Sequence, residues 1–300
     1  MQRVKLNPKF EVSTIAHGHW RALEWNLSVN ELLNLTEQVF DLGITTFDHA
    51  DLYGDFECEK LFGKVLNLKK GLRSQIEIVT KCGIKPQSHK FPNRKIGFYD
   101  YSFEHITSSA EKALRNFKTD YIDLFLLHRP SPFFDPQEVA NTFSHLKKSG
   151  KVLHFGVSNF TPQQFEMLNS YLEEPLVTNQ VEISPHCLEH FDNGNLDFFL
   201  KKRLKPMAWS PLAGGAIMNP STEKEQRIHQ ALQKVAQEHN TEALDQIAYS
   251  WLLKHPTGII PIVGSGKIER IKRASESINK ALSLEQWMEI YVAARGEKLP

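Results

Sequence analysis

Four side chains that can hold charge or move protons lie at or near the ends of short apolar runs. Asp48 ends one run, Lys81 and His128 end two others, and Tyr53 follows Asp48 in the next loop. Because a buried charge is costly unless it is paired, we expect Asp48 to pair with Lys81 and to leave the ammonium close to the Tyr53 hydroxyl. A nearby cation favours the phenolate, so the pKa of Tyr53 is predicted to fall from about 10 toward neutrality, where a tyrosine can donate a proton.

The apolar runs that carry these residues belong to a regular alternation along the chain. Eight β-rich runs alternate with segments of helical spacing, which predicts a parallel sheet joined by right-handed crossovers. Eight such units within about 250 residues fit a closed (β/α)8 TIM barrel, whose chemistry lies at the carboxyl ends of the strands, better than a doubly wound open sheet. The strand candidates are Val12–His19, Ile44–His49, Ile76–Lys81, Tyr121–His128, Val152–Ser158, Val177–Ile183, Leu204–Trp209 and Gly258–Val263. The helix candidates include Asn30–Leu42, Phe103–Phe117, Pro136–Ser149, Pro162–Tyr171 and Leu196–Arg203.

Nothing in the chain marks a domain boundary, since it has no repeat, low-complexity tract or Pro/Gly-rich linker. We therefore predict a single domain of the α/β class over residues 1–300. Residues 1–10 are expected to form a hairpin at the barrel floor, and Leu284–Ala294 an extra C-terminal helix. The long connections Ile84–Tyr101 and Leu212–Lys224 have a length typical of binding loops.

The composition argues against several classes of protein. The chain has 36 Lys and Arg against 35 Asp and Glu, so it has no strong field to attract nucleic acid or an acidic membrane surface. Its apolar runs, such as Leu124–Leu127, are far shorter than the ~20 residues of a membrane span. The 3 cysteines are widely spaced without a CxxC pattern, and no signal-peptide pattern is visible. We expect a cytoplasmic globular enzyme without a metal.

The polar residues and their neighbours resemble a known family. Residues 47–54 (FDHADLYG), Lys81 and residues 127–130 (LHRP) resemble the Asp, Tyr, Lys and His tetrad of the aldo-keto reductases. Further segments, in the family's order, resemble its stretches for the nicotinamide and for the adenosine phosphate. These segments are residues 156–160 (GVSNF), 179–182 (NQVE), 209–212 (WSPL) and 260–265 (IPIVGS), with Lys267 and Arg270 after the last. The resemblance runs from about Trp20 to Arg270 and is greatest to bacterial members.

The resemblance implies a barrel enzyme that uses NADPH to reduce aldehydes and ketones to alcohols. Hydride would pass from the cofactor to the carbonyl carbon while Tyr53 protonates the developing alkoxide. Lys81 would lower the pKa of Tyr53, Asp48 would hold Lys81, and His128 would orient the carbonyl. The expected partner is a small carbonyl compound, and the protein is expected to be a monomer.

The resemblance also implies which residues bind the cofactor. Ser158, Asn159 and Gln180 would hydrogen-bond to the nicotinamide carboxamide. Trp209 would stack on the nicotinamide ring, where many relatives have Tyr. The remaining predicted contacts are His19 and Trp20 at the end of the first strand, Ser210, Leu212 and Gly214 at the pyrophosphate, and Ser265, Gly266, Lys267 and Arg270 at the adenosine ribose and 2′-phosphate.

The chain departs from the family pattern at two of these sites. His49 stands where Thr or Ser is frequent, and Ala274 stands where many relatives have Asn, so neither the role of His49 nor the adenine contact is assigned. The substrate is not assigned either. Aromatic residues in the loops that follow the third and fourth strands predict an apolar rim suited to aromatic or aliphatic carbonyls. These residues are Phe91, Phe98, Tyr99, Phe133 and Phe134.

Two alternatives of other classes stay open. Asp48, His49, Asp51 and His128 could ligate the metal of a barrel hydrolase. Against this, adjacent strand residues point to opposite faces, so Asp48 and His49 cannot both face the barrel interior. A non-catalytic nucleotide-binding redox sensor could keep the cofactor site, although such a protein need not retain Tyr53 as an acid.

Overall fold

The computed structural model describes residues 2–298 and contains a closed barrel of eight parallel strands. In chain order the strands are β1 (Arg3–Asn7), β2 (Phe10–Ser13), β3 (Ala16–Gly18), β4 (Thr46–Asp48), β5 (Glu77–Cys82), β6 (Ile84–Lys85), β7 (Phe98–Tyr99), β8 (Ile122–Leu127), β9 (Val152–Ser158), β10 (Asn179–Glu182), β11 (Met207–Trp209) and β12 (Ile260–Val263). The barrel runs in the order β3, β4, β5, β8, β9, β10, β11 and β12, and β12 pairs with β3 to close it. The predicted (β/α)8 TIM barrel is confirmed.

Helices connect the barrel strands on the outside. Within residues 2–298 they are α1 (Val29–Asp41), α2 (Tyr53–Phe56), α3 (Cys58–Leu68), α4 (Phe103–Phe117), α5 (Pro136–Lys148), α6 (Pro162–Asn169), α7 (Glu189–Asp192), α8 (Asn195–Lys202), α9 (Glu223–Glu238), α10 (Leu244–Lys254), α11 (Ile268–Glu276) and α12 (Leu284–Arg295). Ser28 and Thr161 begin α1 and α6 with reciprocal capping boxes, which satisfy backbone groups that a helix start leaves unpaired. The predicted extra C-terminal helix is confirmed as α12. None of these helices is long and apolar enough to cross a membrane.

The first predicted strand, Val12–His19, is wrong as one element. The chain forms β2 up to Ser13 and then bends before β3 begins at Ala16. The bend is held by the Ser13 hydroxyl, which donates to Ile15 O at 2.6 Å and accepts from the amides of Thr45 and Thr46. The N-terminal hairpin therefore extends over Arg3–Ser13 rather than residues 1–10, and Met1 lies outside the described residues.

The hairpin covers the floor of the barrel. Phe10 and Val12 of β2 pack against Val79, Leu124 and Met207, whose side chains fill the barrel interior. This packing excludes water from one end of the barrel and leaves the other end, where the strands terminate, as the place for a ligand.

A second and larger core lies between the barrel and the helices. Phe47 of β4, Phe62 of α3 and Phe117 of α4 are fully buried there. Helices α3 and α4 approach so closely that a Cβ on Gly63 would lie 1.8 Å from the carbonyl oxygen of Asn116. Only glycine allows this contact, which holds α3 against α4.

The long connection after β5 has structure of its own. Ile84–Lys85 (β6) pairs antiparallel with Phe98–Tyr99 (β7), so the segment Ile84–Tyr101 is folded back on itself above the barrel. The sequence predicts this segment as a long binding loop and does not reveal the two short strands. A pair of two-residue strands has too little periodicity to be seen in sequence.

Candidate active site

A cavity of about 380 Å³ opens at the carboxyl ends of the barrel strands. Thirteen of the predicted cofactor-binding and catalytic residues line it, together with twelve further residues. The predicted residues are Trp20, Asp48, Tyr53, His128, Ser158, Asn159, Gln180, Trp209, Ser210, Leu212, Gly214, Ser265 and Arg270. The others are Gly18, Arg21, Leu52, Ile84, Arg129, Pro211, Gly215, Asp245, Tyr249, Ile262, Val263 and Gly264.

Lys81 lies fully buried behind the cavity wall and connects three groups. Its Nζ is 2.8 and 2.9 Å from the two carboxylate oxygens of Asp48, 2.7 Å from His49 O and 3.1 Å from Tyr53 Oη. Burial lowers the pKa of Lys81, but Asp48 and Tyr53 together raise it above its usual value. The ammonium therefore stays charged and points at the Tyr53 hydroxyl, as the sequence predicts.

The pKa of Tyr53 departs from the prediction. Burial raises it, and although Lys81 lowers it, the charge of Asp48 raises it again, so that the pKa of Tyr53 lies above its usual value. The prediction of a value near neutrality is therefore wrong. The physical reason is first that burial disfavours the charged phenolate, and second that the charge of Asp48 opposes the effect of Lys81 on the pKa of Tyr53. Tyr53 consequently carries its proton at neutral pH.

His128 faces Tyr53 across the cavity, with ring centroids 5.9 Å apart. Burial, Lys81 and Arg129 hold the pKa of His128 well below its usual value. Its Nδ1 is buried and has no hydrogen-bond partner among residues 2–298. A neutral imidazole carries one N–H donor and one acceptor nitrogen, so His128 can donate to a carbonyl oxygen without bringing a charge.

An amide network joins the next three strand ends. Asn159 donates through Nδ2 to His128 O (3.2 Å) and to Ser158 Oγ (2.8 Å), and it accepts at Oδ1 from Trp209 Nε1 (3.0 Å). Ser158 donates to Gln180 O at 2.8 Å, and Gln180 Nε2 donates to Asp48 Oδ1 at 2.8 Å. Both amide protons of Asn159 are thus used inside the protein, and the network fixes the indole of Trp209 at the cavity wall.

The far end of the cavity lies at the start of α11. Arg270 and Ser265 line it, whereas Gly266 and Lys267 do not. Gly266 packs so closely against Trp25 that a Cβ there would lie 2.5 Å from Trp25 Cγ. The Lys267 side chain is exposed beside the helix start. The structure thus separates the four predicted adenosine contacts into two that face the cavity and two that do not.

His19 is a correction to the predicted cofactor contacts. Its side chain is fully buried on the outer face of the barrel, in contact with Trp25, His49 and Phe62, so it cannot reach a ligand in the cavity. The alternation of a strand accounts for this, since Gly18 faces the cavity and its neighbours face away. The neighbouring Trp20 does line the cavity and is 55% exposed.

His17, His19 and His49 form a buried histidine cluster on that outer face, with neighbouring ring centroids 4.7 and 4.4 Å apart. Burial lowers the pKa of His17 to about 4 and holds the pKa values of His19 and His49 well below their usual range. His17 is therefore neutral at pH 7, and its Nε2 donates to Ser265 O at 2.9 Å. This bond ties β3 to the segment before α11.

Because these histidines are buried in the neutral form, we expect the free energy of unfolding to be lower at acidic pH. An unfolded histidine binds a proton near pH 6.5, whereas His17 in the fold binds one only near pH 4. Between these pH values the unfolded chain binds more protons than the folded chain, so the free energy of unfolding falls as the pH falls. His17 alone should lower this free energy by about 2 kcal/mol at about pH 5. Above about pH 6.5 the stability that depends on neutral His17 is fully present. Urea unfolding at about pH 7.5 and pH 5 measures the change. The His17→Phe variant should lose part of this pH dependence, and an unchanged dependence would contradict the assignment.

The metal-hydrolase alternative does not fit these positions. Asp48 is held by Lys81, and His49 lies on the opposite face, as strand alternation predicts. Within residues 2–298, no three His, Cys, Asp or Glu side chains are grouped so that they could hold a metal ion.

Known proteins are similar to this chain over nearly its whole length. The model of the Aldo/keto reductase family matches residues 14–294. The chain belongs to the aldo-keto reductase family. The protein is therefore an oxidoreductase of a family that generally uses NAD(P)H to reduce carbonyl compounds, and neither a hydrolase nor a sensor is favoured.

Individual relatives agree with this membership. The uncharacterized oxidoreductase YcsN of Bacillus subtilis is 50% identical over 300 residues, all of both chains. A 6-dehydroglucose reductase of Agrobacterium fabrum is 38% identical over 300 residues, also all of both chains. Among solved structures, the thermostable aldo-keto reductase Tm1743 has 24% identity and a TM-score of 0.81, with 98% of this chain and 100% of that chain covered. The last likeness supports the fold.

Proposed function

We propose that this aldo-keto reductase reduces aldehyde and ketone carbonyls with NADPH and that Tyr53 is the proton donor. The observation that carries the proposal is the 3.1 Å contact between Tyr53 Oη and Lys81 Nζ at a cavity that His128 also lines. A protonated phenol, a fixed cation and a neutral imidazole around one space are the groups needed to turn a carbonyl oxygen into a hydroxyl.

The chemistry of the cavity wall fits the proposed cofactor. Hydroxyl and amide groups of Ser158 and Gln180 suit a carboxamide. Arg270 lines the opposite end, beside the start of α11, and makes no ion pair within residues 2–298, so its charge is available to a phosphate. Gly215 also lines the cavity, and a Cβ there would meet nothing within 4 Å, so the backbone is open to a pyrophosphate.

In the proposed reaction, bound NADPH supplies a hydride for the carbonyl carbon. His128 donates its N–H to the carbonyl oxygen and holds that oxygen near Tyr53. Tyr53 gives its Oη proton to the oxygen as negative charge develops there, so the O–H bond of the alcohol forms while that of the phenol breaks. The resulting phenolate is stabilised by the Lys81 ammonium, which Asp48 holds in place.

A panel of aldehydes, ketones and quinones mixed with NADPH tests the proposed function through the loss of reduced-cofactor absorbance. The name of the Agrobacterium fabrum relative makes 6-dehydroglucose, a sugar aldehyde, a specific member of that panel. Reduction of at least one aldehyde, with the matching alcohol as product, is the expected result. No reduction of any member would contradict the proposal.

Arg270→Ala should weaken NADPH binding by about tenfold to a hundredfold through loss of a charge-assisted phosphate contact. NADH lacks the 2′-phosphate, so its affinity should change little. Titration of both cofactors, followed by Trp209 fluorescence, measures the two affinities. Lys272→Ala, which removes an exposed cation from the same helix, is the matched control and should leave both affinities unchanged. Equal losses for NADPH and NADH in Arg270→Ala would show that Arg270 does not contact the 2′-phosphate.

We further propose that residues 1–300 act as one domain and as a monomer in the cytoplasm. Asp48, Lys81, Tyr53 and His128 meet within one barrel, so the proposed catalytic set is complete in one chain. Light scattering should give the mass of one chain, and the mass of a dimer would contradict the monomer.

A further inference from the structure

We propose that Arg129 binds a carboxylate of the substrate, so that the preferred substrate is a carbonyl compound that carries one carboxylate group. The inference rests on the proposed carbonyl reduction and names its substrate class. It begins from a feature of the cavity that the proposed reaction does not use, a half-buried guanidinium next to the proposed catalytic histidine.

Arg129 directly follows His128 at the end of β8, and its side chain lines the cavity. The guanidinium carbon lies 5.5 Å from the centroid of the Trp209 ring. No carboxylate of residues 2–298 lies within 4.0 Å of its nitrogens. The half-buried Arg73, in contrast, is paired with Asp123 at 2.8 Å. A cation removed from water without a partner is costly, and an anionic ligand would supply that partner.

Hydrogen bonds fix the backbone of Arg129, and packing restricts its side chain. The Tyr101 hydroxyl accepts a hydrogen bond from Arg129 N at 3.0 Å and donates one to Arg129 O. The Tyr101 ring packs so closely on Gly83 that a Cβ there would lie 2.0 Å from the ring, and Gly83 has a φ of +109°. The position of the Arg129 backbone therefore depends on Tyr101, and the position of the Tyr101 ring depends on a glycine at residue 83. The indole of Trp209, itself fixed by Asn159, limits where the guanidinium can lie.

The local charges favour a carboxylate over a phosphate. The charge of Lys81 is already balanced by Asp48, so Arg129 is the unbalanced cation beside the catalytic groups. The half-buried Glu182 lies near enough for Arg129 to lower its pKa, although burial raises that pKa overall. Glu182 repels any anion bound at Arg129, and it repels the two charges of a phosphate more than the single charge of a carboxylate. The planar guanidinium also matches the two oxygens of a carboxylate.

The predicted apolar rim does not compete with this assignment. None of Phe91, Phe98, Tyr99, Phe133 and Phe134 lines the cavity. Phe133 is 95% exposed, and Phe134 packs against Tyr101 and Phe160. The prediction of a rim of these five residues around the cavity is therefore wrong, and the substrate meets a cationic side chain at that wall instead.

Three matched series of substrates test the proposal: the 3- and 4-carboxybenzaldehydes, their methyl esters, and the corresponding hydroxymethylbenzaldehydes. The wild type should reduce the better carboxylate isomer with a kcat/KM at least about tenfold above its ester and its hydroxymethyl analogue. Arg129→Gln should lower kcat/KM for that carboxylate by about tenfold to a hundredfold, mainly through KM, and should change the neutral compounds by less than about threefold. Arg129→Lys, which keeps the charge without the planar fork, should fall between the two. Arg94→Gln removes a cation from the loop above the barrel, outside the cavity lining, and should have no effect.

A binding measurement separates this proposal from the proposed function. Calorimetry with the 3- and 4-(hydroxymethyl)benzoates, with and without NADP⁺, needs no turnover and should show binding that Arg129→Gln weakens by about tenfold or more. If no aldehyde is reduced but this binding depends on Arg129, the reductase proposal fails and the carboxylate site stands. If the aldehydes are reduced but the esters or hydroxymethyl compounds match the carboxylates, or if Arg129→Gln affects all of them equally, the carboxylate site is overturned and the reductase stands.

Discussion

Replacement of Tyr53 by Phe should lower kcat by about 10²–10⁴-fold and leave NADPH affinity nearly unchanged. The substitution removes the hydroxyl that lies 3.1 Å from Lys81 Nζ and keeps the ring. The reaction then has no positioned proton donor for the alkoxide, because His128 is neutral and its pKa is held low. The rate should be measured with a slowly reacting ketone, since product release can hide the chemical step with a fast substrate.

Tyr99→Phe is the matched control for this experiment. Tyr99 lies in β7, is 40% exposed and does not line the cavity. Its replacement removes the same hydroxyl from the same residue type and should leave kcat unchanged. If Tyr53→Phe retains more than about half of the wild-type kcat with a slow ketone, Tyr53 is not the proton donor.

Lys81→Met should lower both activity and stability. Without the ammonium, Asp48 remains buried with the Gln180 amide as its only side-chain donor within residues 2–298. A buried charge that loses its partner costs about 3–5 kcal/mol. The phenolate of Tyr53 would also lose its stabilising cation, so kcat should fall by about 10²-fold or more. Urea unfolding and steady-state kinetics measure the two effects separately.

The double variant Lys81→Met/Asp48→Asn distinguishes the two roles of the pair. A neutral asparagine removes the unpaired charge, so most of the lost stability should return, while activity should stay low because the cation is still absent. A double variant with near wild-type activity would show that the ion pair serves only the fold.

The strand ends were the part of the site that sequence could predict. The alternation of β-rich runs with helical segments located the barrel strands to within a few residues, although Val12–His19 joined two strands, and a barrel brings the ends of all its strands to one face. Asp48, Lys81 and His128 therefore had to lie close together once the fold was recognised. The contacts of Lys81 with Asp48 and Tyr53 follow from that arrangement.

Other features depend on distances and packing that a sequence does not contain. The direction of the Tyr53 pKa shift depends on how closely Asp48 cancels Lys81 and on how deeply the phenol is buried. His19 was misplaced because the bend after Ser13 was not visible, and with it the face to which each residue after the bend points. Arg129 was overlooked although it follows His128 at a strand end, since its lack of an acidic partner can be seen only in three dimensions.

Single-turnover mixing tests the central claim most directly, because it follows one hydride from the bound cofactor without any later step. The protein, loaded with one equivalent of NADPH, is mixed with an excess of a reactive aldehyde from the panel, and the absorbance of the reduced nicotinamide is recorded. We expect the wild type to lose this absorbance and to yield one equivalent of alcohol, and the Tyr53→Phe variant to lose it at least about a hundredfold more slowly. Absorbance that persists in the wild type, or that decays equally fast in Tyr53→Phe, would contradict the account.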